Sequence, residues 1–324
     1  MRVLVFTTLY PSAARPSHGV FVENRLRHVI AKAKAEGSDL EVKVVAPVPW
    51  FPFDAKRFGE KADFARTPKQ EIRHGLEVSH PRFMVLPKMG MRATAALAKC
   101  FAKELRRLQA SGYTPDLIDV HYYYPDGVAA AQVAQEFNIP FVVTARGTDI
   151  NRIPQYETQK QMILNAADQA AASITVCKAL KDEMVNLGAE AQKITVLRNG
   201  VDLELFQPVD RGPIRTSLGL SGDVIVSVGH LVERKGHGLI IEALAQLPDK
   251  TLLIAGSGPD EALLKALAKT HGVANRVRFL GSVPHDKLRE IYSAADALVL
   301  ASSREGWPNV LLEAMACGTP AIAT

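Results

Sequence analysis

Short runs rich in β-branched residues alternate with helix-patterned stretches from one end of this 324-residue sequence to the other. No other feature constrains the fold as much, because strands separated by helices pair most readily in parallel, through βαβ crossovers. In the first half the expected strands are Val3 to Thr7, Leu40 to Ala46, Leu117 to Val120, Phe141 to Thr144 and Ser173 to Val176. Between Pro47 and Gly90 the pattern breaks into Pro- and aromatic-rich sequence with one expected strand near Leu76 to His80. Excursions of that length are usually functional or disordered. After Asn199 the stretch NGVDLELFQPVDRGP favours neither helix nor strand and reads as an interdomain connector. A second run follows, with strands expected at Val224 to Val228, Thr251 to Ala255, Arg276 to Leu280, Ala297 to Leu300 and Pro320 to Ala323. One helix of that run opens at Pro259, Asp260 and Glu261, is expected to carry Leu263, Leu264 and Leu267 on one face, and stops at Gly272.

The expected class is therefore α/β: two Rossmann-like, doubly wound parallel-sheet domains, residues 1–203 and 204–324, facing a cleft. Ligands in such sheets bind at the carboxyl ends of the strands. The chain stops at Thr324 directly after a strand, so the second sheet is expected to be incomplete.

Composition removes several function classes. With 47% apolar and 23% charged residues the chain has the balance of a soluble globular protein. No apolar run approaches the roughly 18 residues of a membrane span, and MRVLVFTTLYPS lacks the parts of a signal peptide. Cys100, Cys177 and Cys317 lie far apart, form no CxxC pair, and fit a reducing cytoplasm as core fillers. The net charge of +5 is uneven: residues 1–200 hold 27 Lys and Arg against 20 Asp and Glu, whereas residues 201–324 hold 12 against 14. Only the first half is expected to meet something anionic, such as a membrane surface or a phosphorylated substrate. No zinc-finger spacing, RNA-binding aromatic signature or dense basic tail points to nucleic acid. Asp-x-Asp, HExxH, GxSxG and Walker patterns are also missing from the sequence.

Chemistry concentrates at strand ends. In SSREGWPNVLLEAMACGTP a polar loop with Glu305 leads through Pro308 into a helix that begins with Asn309, Val310 and Leu311 and carries Glu313, expected two turns in. Free N–H groups there suit an anion, with one carboxylate at the reacting end of a ligand and the other at its middle. A capped amphipathic helix with two solvated glutamates accounts for the same spacing. In VSVGHLVERKGHGLI the loop after a buried strand presents His230, Arg234 and Lys235, groups that suit a phosphate or pyrophosphate; a solvated loop is the alternative. Gly256 and Gly258 in AGSGPDE allow close backbone approach. In the first half, lone Gly19 opens a helix without making GxGxxG, which argues against a nicotinamide or flavin. His121 and Asp149 each follow a strand and are either catalytic or structural. From Arg92 to Leu108 an amphipathic helix carries Leu97, Phe101, Leu105 and Leu108 on one stripe and Arg92, Lys99, Lys103 and Arg106 on another. That basic face is either simply solvated or adheres to anionic lipid.

Taken together these residues resemble the family-4 retaining glycosyltransferases of GT-B fold, over nearly the whole chain. The pair Glu305 and Glu313, with seven residues between, is the most specific part, supported by LRNGVDLELFQP, VGHLVERKG, IAGSGP, VRFLGSVP and EAMACGTPAIAT. The start, TTLYPSAARPSHGVFVENRLRHV, and HPRFMVLPK are similar to the branch that builds bacterial surface polysaccharides such as teichuronic acid. The resemblance implies a UDP- or GDP-sugar donor on the second domain and a glycan or lipid-linked acceptor on the first, with no separate cofactor and no metal. It implies that Glu305 contacts the donor sugar, Glu313 the ribose, and Asn309, Val310 and Leu311 the sugar and diphosphate through their backbone. It further implies that Val283 flanks the base, Lys235 neutralises the departing diphosphate, Gly19 lets a loop close over the phosphates, and His121 lies near the anomeric centre. The implied setting is cytoplasmic, peripheral on the inner face of the plasma membrane. Two positions depart from the pattern, His230 and Arg146, where relatives often have arginine and histidine. A GT-B sugar-nucleotide epimerase and a non-catalytic nucleotide-sugar-binding module are the rival functions.

Overall fold

The computed structural model describes residues 1–85 and 90–324, and all of their side chains except those of residues 56 and 90–92. The sequence segment HPRFMVLPK therefore runs partly outside the described residues, as does the side chain of Arg92. The chain divides into two compact units, Met1–Asn199 and Gly200–Thr324.

In the first unit, strands β1 (Arg2–Phe6), β2 (Glu41–Val45), β4 (Gln70–Arg73), β5 (Leu76–Ser79), β7 (Leu117–His121), β8 (Phe141–Ala145), β9 (Ala172–Thr175) and β10 (Ile194–Val196) form one sheet in the order β10-β9-β8-β7-β1-β2-β5-β4. All pairings are parallel except β4 with β5. β3 (Val48–Pro49) and β6 (Arg82–Phe83) form a separate parallel pair within the excursion. These two escape sequence reading because two residues carry no periodicity, and β4 and β10 are also absent from the expected strands.

Helix α1 (Val20–Ala35) follows β1, and α2 (Glu60–Arg66) lies in the excursion. Helix α3 (Gly90–Ala110) buries Leu97, Phe101, Leu105 and Leu108 as the stripe predicts, with the Phe101 ring stacked on Phe6 of β1 at 3.8 Å between centroids. Its outer face is less basic than its sequence suggests. Arg106 pairs with Glu136, which belongs to α4 (Val128–Phe137), and Arg107 pairs with Glu104 at 2.8 Å, while Lys99 and Lys103 stand exposed.

The second unit is built on β11 (Asp223–Val228), β12 (Lys250–Ala255), β13 (Val277–Gly281), β14 (Ala297–Leu300) and β15 (Ala321–Ala323), all parallel, in the order β13-β12-β11-β14-β15. Each face of this sheet is covered by its own apolar cluster. One includes Val226, Leu253, Tyr292, Leu298 and Ala314. The other includes Leu231, Ile241, Leu252, Ile254 and Leu264. Fully burying such side chains contributes about 1.5–3 kcal/mol each. Phe206, from the stretch that reads as a connector, is buried in the first cluster and is part of the unit rather than a tether. Helix α10 (Glu261–Thr270) corrects one expectation: Leu264 and Ala268 face inward, but Leu263 is 69% exposed. Adjacent positions on a helix are turned by about 100°, so Leu263 and Leu264 cannot share one narrow face. Of the cysteines, Cys317 lies in the core, whereas Cys100 and Cys177 are only half-buried. Among the described residues no helix is long and apolar enough to cross a membrane.

Candidate active site

In the second unit β11 lies between β12 and β14, so the chain runs outward to β13 and then returns to the opposite side of β11. That reversal is a topological switch point, where ligands of open α/β sheets bind at the strands' carboxyl ends. Three loops meet there with almost no room for side chains. A Cβ on Gly256, after β12, would overlap the carbonyl of Gly229, after β11. A Cβ on Gly236 would overlap the carbonyl of Ala301, after β14. Gly258 is similarly pressed against the backbone of Leu231. The close approach expected at these glycines is thus made by the protein's own loops.

Onto this interlocked floor the loops bring two charged side chains together. The Lys235 ammonium meets Glu305 Oε1 at 2.5 Å, both side chains being largely withdrawn from solvent. The Ser303 N–H donates to the Arg234 carbonyl at 2.9 Å, fastening the same two loops through their main chains. One of the three N–H donors of Lys235 is occupied by Glu305. His230 and Arg234 are exposed beside them.

Helix α12 (Asn309–Ala316) starts at Pro308, with Val310 and Leu311 partly packed on the core beside Val283. Glu313 lies just over one turn into this helix, not two, because the helix opens only at Asn309. Its carboxylate is buried, accepting from Tyr292 Oη at 2.8 Å and from His285 Nε2 at 3.0 Å. Tyr292 belongs to α11 (Leu288–Ala294), and the His285 ring meets Phe206 edge-on at 5.0 Å. Burial, then the Glu313 carboxylate, pushes the Tyr292 hydroxyl pKa well above its usual value, so it remains a donor. Each Glu313 oxygen keeps a second acceptor direction. His285 and Tyr292 carry no local sequence signal, standing 28 and 21 residues before Glu313. His237, opening α9 (His237–Leu244), is also buried, and its Nδ1 bonds Ser227 Oγ at 2.9 Å.

In the first unit the ends of β7 and β8 carry a buried polar chain. His121 Nδ1 lies 2.7 Å from a terminal nitrogen of Arg146, and its Nε2 lies 3.5 Å from Asp119 Oδ2. Asp119 and His121, two apart on β7, share one face of the sheet. Arg146 also donates to Asn199 Oδ1 at 3.2 Å and stacks over Phe21 at 5.0 Å. An arginine has only donors, so Nδ1 of His121 must be the acceptor and the ring proton must sit on Nε2. Burial, reinforced by Arg146 and opposed by Asp119, pulls the His121 pKa down to about 4. His121 is therefore a neutral donor at physiological pH. Asp149 is a structural clamp: it accepts from the N–H groups of Tyr123, Gly147 and Arg146 at 2.8 to 3.0 Å. Between them Tyr122 holds φ 85°, a strained value for a residue with a side chain, of the kind that clusters at functional loops. Gly19 caps α1 at φ 70°, against the backbone of Leu9 and Tyr10.

The parallel-sheet α/β architecture is that of the GT-B glycosyltransferases. The profile of glycosyltransferase family 4 matches residues 22–205, and that of glycosyl transferases group 1 matches residues 214–324; the chain belongs to this family of transferases. The Bacillus subtilis (strain 168) protein provisionally named teichuronic acid biosynthesis glycosyltransferase TuaC is 32% identical over 337 residues, covering all of this chain and 81% of that protein. The D-inositol 3-phosphate glycosyltransferase of Mycobacteroides abscessus is 36% identical over 164 residues, covering 48% of this chain and 37% of its own. Among solved structures, sucrose-phosphate synthase from Thermosynechococcus elongatus superposes with TM-score 0.78 at 21% identity, over all of this chain and 81% of that one. Anabaena Alr3699/HepE in complex with UDP-glucose does so with TM-score 0.71 at 23% identity, over 100% and 80%.

Proposed function

We propose that this protein is a retaining, metal-independent hexosyltransferase that moves a sugar from a UDP- or GDP-sugar to a lipid-linked or polysaccharide acceptor in cell-surface glycan synthesis. The observation that carries this reading is the Lys235–Glu305 pair at the switch point of the second sheet. A departing nucleoside diphosphate needs positive charge, and Lys235 supplies it on a rigid loop junction. Glu305 keeps that lysine aimed and lies where a donor sugar hydroxyl can take its place as partner. The buried Glu313, held by Tyr292 and His285, suits a ribose hydroxyl. In the proposed transfer the acceptor oxygen attacks the anomeric carbon from the face of the leaving group. The carbon–oxygen bond to the diphosphate breaks, and the departing phosphate oxygen takes the acceptor's proton. No protein nucleophile is needed. The complex of the Anabaena neighbour with UDP-glucose and the name of the Bacillus relative support donor class and acceptor setting. The proposed location is the cytoplasmic side of the plasma membrane.

Product analysis with a radiolabelled UDP- or GDP-sugar, with and without a lipid-linked acceptor and in excess EDTA, tests this reading. Acceptor-dependent sugar transfer that survives EDTA is expected. Release of an isomerised sugar without acceptor would instead identify an epimerase, and binding without turnover a non-catalytic module.

A further inference from the structure

Asp126 is a fully buried carboxyl group that the proposed transfer does not use. It lies at the switch point of the first sheet, where the chain leaves β1 for β2 on one side and returns with β7 on the other. The turn that follows β7, Tyr123–Gly127, is gripped twice. Near its start the Tyr123 N–H donates to Asp149 at 2.9 Å, and near its end Asp126 reaches back to the residues after β1. The Thr8 N–H donates to Asp126 Oδ2 at 2.7 Å, and the Thr8 hydroxyl lies 3.0 Å from both carboxyl oxygens. The Thr7 hydroxyl lies 3.2 Å from Oδ2. Asp126 thus ties the loop leading to Gly19 to the turn after His121. All of these donors are uncharged, whereas a buried carboxylate ordinarily faces a cation.

The Thr7 hydroxyl has one proton and two acceptors in reach, Asp126 Oδ2 and the His121 carbonyl at 3.1 Å, while its oxygen accepts the Leu9 N–H at 2.9 Å. A charged Asp126 takes that proton, being the stronger acceptor. A neutral Asp126 donates from Oδ1 to the Thr8 hydroxyl oxygen, keeps the Thr8 N–H on Oδ2, and leaves the Thr7 hydroxyl to His121. One set of heavy-atom positions therefore satisfies both states, and a rotating hydroxyl distinguishes them. We propose that Asp126 is a positioning residue: its charge state directs the Thr7 hydroxyl and so sets how the loop after β1 is held. The charged form fastens both threonines to the turn, and the neutral form moves Thr7 onto the end of β7. Burial pushes the Asp126 pKa up to about 7, the threonine bonds opposing the rise and Asp149 of α5 (Thr148–Asn151) adding to it. The other charged or titratable groups around it are His121 and Asp119 on β7, Arg146 after β8, and, through the Thr8 carbonyl, His18 with Arg15. Helices α3, α4 and α6 (Glu157–Gln169) also pack against the turn. Of these, α4 and α6 bury only apolar residues, and Glu104, buried on α3, is paired with Arg107. The effect on transfer rests on the proposed function; the hydroxyl switch does not.

The test uses the full chain without donor or acceptor, so its failure is distinct from failure of the transfer reading. Carbon NMR of labelled aspartate carboxyls, which needs no variant, should show Asp126 titrating near pH 7. The Thr8 amide and the His121 carbonyl carbon should shift with the same midpoint. In Asp126→Asn, whose amide oxygen can still accept the Thr8 N–H, both responses should vanish. In Thr7→Val the His121 response should vanish while the Thr8 response stays. An Asp126 carboxyl already charged at about pH 5, or a Thr8 response that persists in Asp126→Asn, would overturn the proposal. So would a His121 response undiminished in Thr7→Val. Because the folded pKa is raised, the stability Asp126 contributes is present below about pH 4 and lost as pH rises through about 7, and Asp126→Asn should remove that part of the decline in melting temperature. Once transfer is assayed, kcat of the unmutated chain should show an inflection near pH 7 that Asp126→Asn lacks, with KM for the donor little moved. Activity lowered equally at every pH would mean a purely structural carboxyl and contradict the positioning role.

Discussion

His121 shows how burial decides what a residue can do. Both ring nitrogens are engaged by the protein, Nδ1 by the Arg146 guanidinium and Nε2 by Asp119. A base must present a free lone pair; this ring has given its only one to Arg146. Nitrogen NMR of the folded protein should show His121 neutral, with the proton on Nε2, and titrating near pH 4 rather than near 6.5. Because the folded pKa is depressed, its contribution to stability is present above about pH 6.5 and is lost as pH falls through about 4. Part of the acid loss of stability should therefore disappear in His121→Gln, read as melting temperature against pH. A ring protonated at neutral pH would contradict the geometry. Lys235 is the contrasting case, because under the proposed function a donor takes over part of its pairing with Glu305. Lys235→Ala should lower kcat about 10²–10³-fold, as loss of one charge-stabilising donor does, while leaving the melting temperature nearly unchanged.

Among the elements, the loops at the carboxyl ends of β11, β12 and β14 form one interlocked piece. Gly236→Ala would need both a left-handed backbone at φ 69° and the space held by the Ala301 carbonyl. It should cost about 2–4 kcal/mol by chemical denaturation and loosen the Lys235–Glu305 pair with it; an unchanged midpoint would remove the argument. Helix α12 depends on α11 in a comparable way, since Tyr292→Phe deletes one of the two bonds to buried Glu313, at a cost of about 1–3 kcal/mol. These elements also mark how far sequence can be read. The alternation of strands and helices gives the parallel sheets, and the stripe Leu97, Phe101, Leu105, Leu108 gives the buried face of α3, because both are periodic over many residues. Glu305, Glu313 and Lys235 are visible because strand ends and helix starts have local signatures. The Tyr292 and His285 partners of Glu313, and the tie from Arg146 to His121, join residues more than 20 positions apart and have no such signature. β3 and β6 are hidden for a different reason, being two residues each and stabilised by what packs around them.

At the scale of the whole molecule, formal charge divides unevenly between the units. The first unit carries the positive surplus and the polar chain around His121. The second carries the Lys235–Glu305 pair on a sheet whose strand order creates a switch point. Under the proposed function, nucleotide recognition should consequently belong to the second unit. The most direct test of the central claim is calorimetric titration of the full chain with UDP, GDP and ADP, repeated on Lys235→Ala and Glu313→Ala. One of the three nucleotides should bind selectively, and its affinity should fall by about tenfold or more in each variant, consistent with lost charge-assisted bonds. Affinity unchanged in both variants, or no binding of any of the three by the unmutated chain, would contradict the account.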